Sequence, residues 1–394
     1  MKLPKSLEGI SRGYTPIFII AFVILLGLMM YRLGSLTGGL SAGEVKAAID
    51  PVGFSGIWHN PQYLPLKLIR SIDYFIVPGH GQTLTRLPNV LFGVMTVASF
   101  GFLIWLWHGT RIAILTTLLF ATSAWVLHVS RLASFDVLYL WASPMLLITQ
   151  VMIYRYSDNA LVWYGCMITW GLLLYVPGLF WVILAMALLQ VSTLREAWRE
   201  ASPRRQVISM WLAAFWLPLL LVDMFRSGHF VQWLGLPSTW SSPAIVAKHF
   251  IGVFVHLFIR GPQYPDIWLG RTPILDAFTL LVSCLGIYFY ARHWKAWRSR
   301  TIGTMFGIGV VLVGLAGPVG ISFLVPLVYV TAAAGIAYLL HEWLKVFPLN
   351  PFARGVGIGF IALLVVVSCV YNLRSYFVAW PHNDATKAVF RNHL

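Results

Sequence analysis

Apolar runs recur from one end of this chain to the other, and they restrict its possible folds more than any other feature. A run of ~20 apolar residues is long enough to cross the hydrocarbon core of a bilayer as a helix. The sequence therefore predicts an all-α, polytopic membrane protein with about eleven transmembrane helices, forming a single domain over residues 1–394. The predicted spans are 15–36, 85–107, 112–127, 137–153, 160–176, 178–194, 207–222, 273–291, 301–317, 319–340 and 355–373.

Composition supports this class, because 59% of the residues are hydrophobic and 10% are charged, which no soluble globular domain matches. The formal net charge of +15 would fit a nucleic-acid partner if the cations formed one basic domain. They fall instead between the apolar runs, most densely in 195–205 and 292–300, as positive-inside sorting requires. We therefore expect no nucleic-acid partner, a cell-membrane location, a cytoplasmic N-terminus and an outer C-terminus.

Acidic residues are scarce, and almost none lies near the middle of a predicted span. Transporters place ionisable groups at the bilayer centre, whereas an enzyme working on an outer-surface substrate needs its carboxylates in outer loops. Outer loop 1 is predicted at 37–82, with helices lying in the membrane interface. Outer loop 2 is predicted at 128–136, and a long outer segment at 223–272. The first two loops contain Glu44 and Asp136.

Each of these candidates also has an ordinary structural interpretation. Glu44 fits a solvated loop acid, and Asp136 fits a cap for the helix that follows it. Arg131 fits an interfacial cation that reaches up to phospholipid phosphate, and His59 fits an anchor for its loop. Composition and spacing leave these alternatives open.

Six short motifs occur in an order that resembles one family of membrane enzymes. They are GLSAGE (39–44), HNPQY (59–63), RLPNVLFG (86–93), HVSRLASFD (128–136), RTPILD (271–276) and FARGV (352–356). Their order and spacing are similar to those of the C-type integral-membrane glycosyltransferases, the GT-C fold. The resemblance is to the branch of protein O-mannosyltransferases and lipid A aminoarabinose transferases.

The resemblance implies transfer of a sugar from a polyprenyl-phosphate donor to a glycan, lipid or protein acceptor at the outer face. A lipid phosphate leaves as a stable anion, so one carboxylate base and inversion at the anomeric carbon are expected. Glu44 is the leading candidate for the base, and Asp136 assists it or shares a divalent metal with it. The candidates for binding substrate or phosphate are His59, Lys67, Arg86, Arg131, Arg260 and Arg271.

One departure from the family pattern concerns the first motif. The family commonly has Asp-Glu where this chain has Gly43 and Glu44. An inactive scaffold of the same fold is therefore an alternative, and a lipid or polyprenol transporter or flippase is another. The sequence has no nucleotide-binding loop, which favours a lipid-linked donor over a nucleotide sugar.

Overall fold

The computed structural model describes residues 15–49, 53–76, 81–225, 229–262 and 268–392. The described helices are α1 (Thr15–Met30), α2 (Ala42–Ile49), α3 (Phe54–His59), α4 (Leu64–Ile76), α5 (Gln82–His108), α6 (Thr110–Thr122), α7 (Ala124–Arg131), α8 (Asp136–Tyr156), α9 (Ala160–Leu173), α10 (Leu179–Leu189), α11 (Val191–Arg199), α12 (Pro203–Phe225), α13 (His229–Trp233), α14 (Pro243–Phe258), α15 (Ala277–Arg292), α16 (Trp297–Gly314), α17 (Val325–Val346), α18 (Pro351–Arg374), α19 (Trp380–His382) and α20 (Asp384–Val389). Short 3₁₀ and π turns at Ile321–Phe323 and Ser375–Ala379 join the longer helices. The predicted all-α class is confirmed.

Each of the eleven predicted spans coincides with a helix or with a bent pair of helices. Among the described residues, 5 helices are long and apolar enough to cross a membrane, or up to 7 if each bent pair is one span. The five are α5, α8, α12, α17 and α18, the last two counted with the turns beside them. The chain is therefore a multi-pass membrane protein, and the number of eleven crossings stays a prediction.

Two of the predicted spans are bent. The span at 112–127 is the pair α6 and α7, which meet at Ser123 at an angle of 60°. The span at 178–194 is the pair α10 and α11, bent by 71° at Gln190. Ser123 has an extended backbone conformation, which stops the helical hydrogen-bond ladder and lets α7 turn away from α6. The predicted outer loop 2 is therefore helical up to Arg131, and only 132–135 connect α7 to α8.

Helices α8 and α17 form the centre of the bundle. In their most apolar windows 78% and 83% of the residues are buried, compared with 11% for α12. The exposed apolar side chains of α12 therefore face outward, where lipid is their natural solvent. Helix α15 packs closely on α17 because Gly286 and Gly335 each lie against a backbone carbonyl of the facing helix, where a Cβ would overlap it. Such contacts between small residues are a common way to pack helices in membranes.

We call the end of the bundle where α1 finishes and α5 begins the loop end. Helices α2, α3 and α4 lie there, within the predicted outer loop 1. Backbone hydrogen bonds tie separate connections together at this end. Gly178 N–H donates to the carbonyl of Trp233 over 2.9 Å, and Leu40 pairs with Asn392. The loop end thus brings together segments that are distant in sequence.

Candidate functional site

Glu44 and Arg86 form a buried ion pair at the loop end. Arg86 Nε and Nη2 donate to the two carboxylate oxygens of Glu44 over 2.7 and 2.9 Å. The same carboxylate accepts from the backbone N–H groups of Ala133 at 3.1 Å and Ser41 at 2.9 Å. Glu44 is 1% exposed, and four hydrogen bonds occupy the lone-pair positions of a carboxylate. In this arrangement Glu44 has no lone pair left to accept a proton from a substrate.

The local sequence explains how Glu44 reaches this position. Ser41 precedes α2, and its hydroxyl accepts from the Glu44 N–H over 3.2 Å while the Glu44 carboxylate accepts from the Ser41 N–H. This reciprocal pair is a capping box, whose sequence pattern is Ser-x-x-Glu. The pattern is readable in the sequence, although the sequence-based predictions for Glu44 were a base, a metal ligand or a solvated acid. Glu44 therefore also fixes the start of α2.

The rest of the Arg86 guanidinium is used to organise the first loop. It donates to the carbonyl oxygens of Leu33 at 2.8 Å and Gly39 at 3.0 Å, and to the Thr37 hydroxyl at 3.3 Å. Arg86 is 2% exposed. A donor phosphate could not contact it without breaking these bonds, so the expected phosphate role does not fit Arg86 in this arrangement.

Asp136 stands in a different environment from Glu44. It is the first residue of α8 and is partly exposed, and the helix dipole favours its negative charge there. Ser322 Oγ donates to its Oδ2 over 3.4 Å, and its carboxylate lies where a Cβ on Gly320 would be. The cap position belongs to Phe135, which makes no side-chain cap bond, so Asp136 does not act as the predicted N-cap. It remains an accessible carboxylate.

The structure brings the two predicted catalytic acids to one turn. Glu44 accepts from the backbone of Ala133, three positions before Asp136. Phe135, the residue before Asp136, stacks on Tyr63 with ring centroids 4.2 Å apart. This stacking holds the turn against the first loop. The Glu44 pair therefore supports the backbone that carries Asp136.

Arg131 is buried, unlike the interfacial cation that its sequence context also fits. It is 3% exposed, and its Nη2 donates to the carbonyl of Tyr31. The guanidinium lies over the rings of Tyr376 and Phe377, 5.3 and 4.9 Å from their centroids. The Tyr376 hydroxyl is also a side-chain hydrogen-bond partner of Arg131. A backbone carbonyl and aromatic side chains therefore hold the Arg131 guanidinium inside the loop end.

The other predicted phosphate ligands divide by exposure. Lys67 is 2% exposed and donates to the carbonyl of Asn60 over 2.9 Å. His59 is exposed, and its Nδ1 lies 2.7 Å from the carbonyl oxygen of Ser55 in its own helix. Lys67 therefore sits inside the first loop, while His59 lies on its surface.

Arg260 and Arg271 are both exposed. The chain leaves α14 at Arg260 and returns so that Gly261 packs against the carbonyl of Thr272, where a Cβ would overlap it. Leu275 N–H also donates back to the carbonyl of Leu257 over 3.2 Å. The backbone segments that carry the two arginines therefore meet, and a guanidinium suits a phosphate ligand.

A buried Asp–His pair was absent from the predicted site. Asp223 is fully buried at the end of α12, and its Oδ1 lies 3.1 Å from Nδ1 of His229. Gln62 in the first loop donates to the His229 carbonyl over 3.3 Å. A carboxylate at Nδ1 fixes the orientation of an imidazole ring. The two residues are six positions apart at the start of the predicted long outer segment, where none of the six motifs lies.

A metal shared by Glu44 and Asp136 does not fit the residues as they are arranged. The carboxylate oxygens of Glu44 are all engaged by protein donors. Within the described ranges no three His, Cys, Asp or Glu side chains come together as a metal-binding group. The residues at this place therefore do not form a site that a metal ion would occupy together with both acids.

Comparison with solved structures identifies the fold. The ArnT protein from Cupriavidus metallidurans, bound to undecaprenyl phosphate, superimposes with a TM-score of 0.57 at 13% identity, covering 95% of this chain and 77% of ArnT. The Archaeoglobus fulgidus oligosaccharyltransferase, tethered with an acceptor peptide, gives 0.53 at 14% identity, covering 97% of this chain and 56% of the archaeal one. The archaeal AglB in complex with an inhibitory peptide and a dolichol-phosphate gives 0.51 at 14% identity, over 95% and 56%.

Sequence comparisons add no closer relationship. No protein-family model matches the chain, and a search of curated proteins finds no match. At 13–14% identity the structural likeness speaks for the fold alone. Both neighbours are membrane glycosyltransferases, as the motif resemblance predicted. The chain has the GT-C fold of the integral-membrane glycosyltransferases.

Proposed function

We propose that this chain is a membrane glycosyltransferase that moves a sugar from a polyprenyl-phosphate donor to a glycan, lipid or protein acceptor. The observation that carries the proposal is the GT-C fold, matched over 95% of the chain. Solved proteins of this fold hold undecaprenyl phosphate and dolichol-phosphate. A lipid-linked donor therefore suits both the fold and the membrane location of the site.

Asp136 is the proton acceptor in this proposal, and Glu44 is a positioning residue. The acceptor hydroxyl gives its proton to Asp136 as its oxygen attacks the anomeric carbon, and the bond from that carbon to the phosphate oxygen breaks. The electron pair stays on the lipid phosphate, which needs no proton to leave. Attack opposite the leaving group inverts the anomeric centre. The partial exposure of Asp136 supports this role, whereas the Glu44 carboxylate is engaged on every side.

Arg260 and Arg271 hold the donor phosphate in this proposal. Both are exposed, their segments meet where Gly261 packs against Thr272, and the guanidinium fork matches the geometry of phosphate oxygens. His59 and Lys67 lie in the first loop, His59 on its surface and Lys67 buried with its ammonium donating to the carbonyl of Asn60. The phosphate gains one negative charge as the bond to the anomeric carbon breaks, so fixed cations stabilise it as it departs.

The loop end faces the outside of the cell in this proposal. Arg and Lys are dense in the short connectors at the opposite end of the bundle, around 195–205 and 292–300. Such cation-rich connectors stay on the cytoplasmic side of a membrane. The predicted cytoplasmic N-terminus, 1–14, lies outside the described residues. Cysteine labelling from the outer face should reach a cysteine placed at Asn383 and miss one placed at Arg298. Labelling of position 298 from outside would reverse the orientation.

The decisive experiment measures transfer of a radiolabelled sugar from a polyprenyl-phosphate donor by the purified protein in detergent. We expect transfer by the parent chain and loss of transfer in Asp136→Asn. Asp384→Asn is the matched control, because Asp384 is exposed and pairs only with its neighbour Lys387 at 3.2 Å. A parent that binds the donor lipid and transfers nothing would contradict the enzyme assignment.

An inactive scaffold is the second candidate function, and two observations favour it. Gly43 stands where the family commonly has Asp, and the adjacent Glu44 is fully committed to Arg86 and the backbone. Restoring the carboxylate with Gly43→Asp separates the two candidates. A scaffold that lost activity through Gly43 should gain transfer in this variant, whereas an enzyme using Asp136 should already be active without it.

A further inference from the structure

Two arginines lie at the end of the bundle opposite the loop end, and no described acidic side chain pairs with either. Arg155 is in the last turn of α8, and Arg298 is in the first turn of α16. Arg298 also contacts the end of α5, because its Nη1 donates to the carbonyl of Trp107 over 3.2 Å and its guanidinium lies 5.4 Å from the centroid of the Trp107 ring. Since α5 and α8 are long enough to cross the membrane, these helix ends lie at the level of the lipid head groups.

The segments that carry the two arginines meet through an aromatic contact. Tyr154, the residue before Arg155, and Trp297, the residue before Arg298, stack with ring centroids 5.3 Å apart. The positive charge of Arg155 also acts on that of Arg298, so the two cations repel each other. This repulsion raises the free energy of the folded protein unless a negative charge lies beside them.

The described residues supply no negative charge at this place. The ion pairs among them join Glu44 to Arg86, Asp223 to His229 and Asp384 to Lys387. The acid nearest to Arg155 in sequence is Asp158, which is exposed and belongs to none of these pairs. Helix α16 begins without an acid in its first turn and without a side-chain cap, so the positive end of its dipole adds to the charge of Arg298. The positive charge here therefore lacks a partner among the described side chains.

Both arginines keep hydrogen-bond donors for a ligand. Arg155 is exposed and Arg298 is partly exposed. Among the residues that the structure describes, none accepts from Nε or Nη2 of Arg298, because its bond to Trp107 uses Nη1. Guanidinium N–H groups match the oxygens of a phosphate. The rings of Tyr154 and Trp297 stand beside them, as aromatic side chains do at a membrane–water interface, so a phosphate attached to a lipid suits this place.

We propose that Arg155 and Arg298 bind the head-group phosphate of an anionic phospholipid, such as phosphatidylglycerol, at this end of the bundle. The negative charge of the lipid offsets the repulsion between the two arginines, and its glycerol and first acyl carbons lie against the exposed ring of Tyr154. In the orientation proposed above, this end faces the cytoplasmic leaflet, where basic sites between membrane helices bind anionic head groups. The lipid site is at the opposite end of the bundle from the proposed sugar-transfer site and does not depend on it.

Native mass spectrometry of the protein in detergent, mixed with equal amounts of phosphatidylglycerol and phosphatidylcholine, tests the lipid site. Both lipids contain a phosphate and they differ in net charge, so the parent protein should retain phosphatidylglycerol preferentially. Arg155→Gln should reduce this preference by roughly fivefold, the usual contribution of one basic residue at an anionic membrane surface. Arg204→Gln is the matched control, because Arg204 is an exposed cation in the first turn of α12 at the same end. Equal retention of the two lipids by the parent protein, or the same preference in the parent and both variants, would overturn the proposal.

A second measurement separates a lipid from a soluble phosphate and needs no variant. Phosphatidylglycerol with a photoreactive group on its head group should crosslink to peptides of the parent protein that contain Tyr154 or Trp297. An excess of inorganic phosphate should leave these crosslinks unchanged, because it has no acyl chains to hold it at the membrane. Loss of the crosslinks in phosphate, or crosslinks only to peptides of the loop end, would refute the lipid site. Sugar transfer enters neither measurement, so the result does not depend on whether the parent protein is an active transferase.

Discussion

Arg86 and Glu44, which are 42 positions apart in the sequence, meet in a two-point ion pair with distances of 2.7 and 2.9 Å. The pair joins the start of α2 to α5 and, through Ala133, to the turn before α8. Both side chains are almost completely buried. Removing one partner therefore leaves the other as an uncompensated buried charge.

Glu44→Gln should destabilise the protein rather than affect only the chemical step. Breaking a buried pair costs about 3–5 kcal/mol, and thermal unfolding in detergent measures it. The double variant Glu44→Gln, Arg86→Met should lose less than the sum of the two single variants, because it leaves no unpaired charge. If Glu44→Gln keeps the parent stability and loses transfer, Glu44 is the base and the positioning role is wrong.

Asp136→Asn should lower sugar transfer by roughly 10²–10⁴-fold, which is the usual effect of removing a general base. Donor affinity should change little, because the substitution preserves shape and Asp136 is not proposed to contact the phosphate. The stability should also stay close to that of the parent, because Asp136 is partly exposed and Asn preserves its shape. Full transfer in Asp136→Asn would remove it from the site.

Gly320→Ala should disturb the site without changing any charged residue. A Cβ at this position would overlap the Asp136 carboxylate, so the side chain or the turn around Gly320 must move. We expect transfer to fall while the fold is retained. Gly355→Ala is the control, because nothing lies within 4 Å of the Cβ it would add. An unchanged rate in Gly320→Ala would indicate that the position of Asp136 is unimportant.

Arg260→Ala and Arg271→Ala should weaken donor binding more than they slow the chemical step. Losing one charge-assisted hydrogen bond to a phosphate costs about 1.5–3 kcal/mol. This free energy corresponds to a loss of roughly 10- to 150-fold in affinity for the donor. The two effects should not add, because both arginines are proposed to bind one phosphate. Measuring KM for the donor separately from kcat checks this. Additive losses in kcat alone would point away from phosphate binding.

Gly286→Leu should destabilise the bundle at its closest helix contact. The Cβ of the new side chain would overlap the carbonyl of Thr331 on α17, so α15 must move away. Overpacking of this kind typically costs about 1–3 kcal/mol or more. Gly307→Leu is the control, because Gly307 has open space at its Cβ position on α16. Equal midpoints for the two variants would contradict the tight packing of α15 on α17.

The fold class was predictable because it depends on local sequence. Each apolar run specifies a helix by its length and hydrophobicity alone, as α5 and α18 show. The bends could not be predicted from the sequence, because the 60° turn at Ser123 follows from its backbone conformation and not from its apolar content. Helix positions could therefore be predicted where composition decides them, and helix directions could not.

The candidate site was predictable in its residue types and not in its contacts. Glu44, Asp136 and Arg131 were found from motifs, and the capping box of Ser41 and Glu44 was also readable locally. The pairing of Glu44 with Arg86 depends on segments that meet only in three dimensions. No spacing rule gives such a pairing, because the intervening helices determine it. Asp223 and His229 are only six positions apart, but none of the six motifs covers them.

The bridge between Leu40 and Asn392 has a consequence for how the protein matures. Its two partners are 352 positions apart, so a ribosome finishes nearly every helix before the second partner exists. The first loop therefore completes this contact only after the segment around Asn392 has been translated. An insertion directly after Asn392 would interfere with assembly of the first loop, although it lies far from the predicted catalytic acids in sequence.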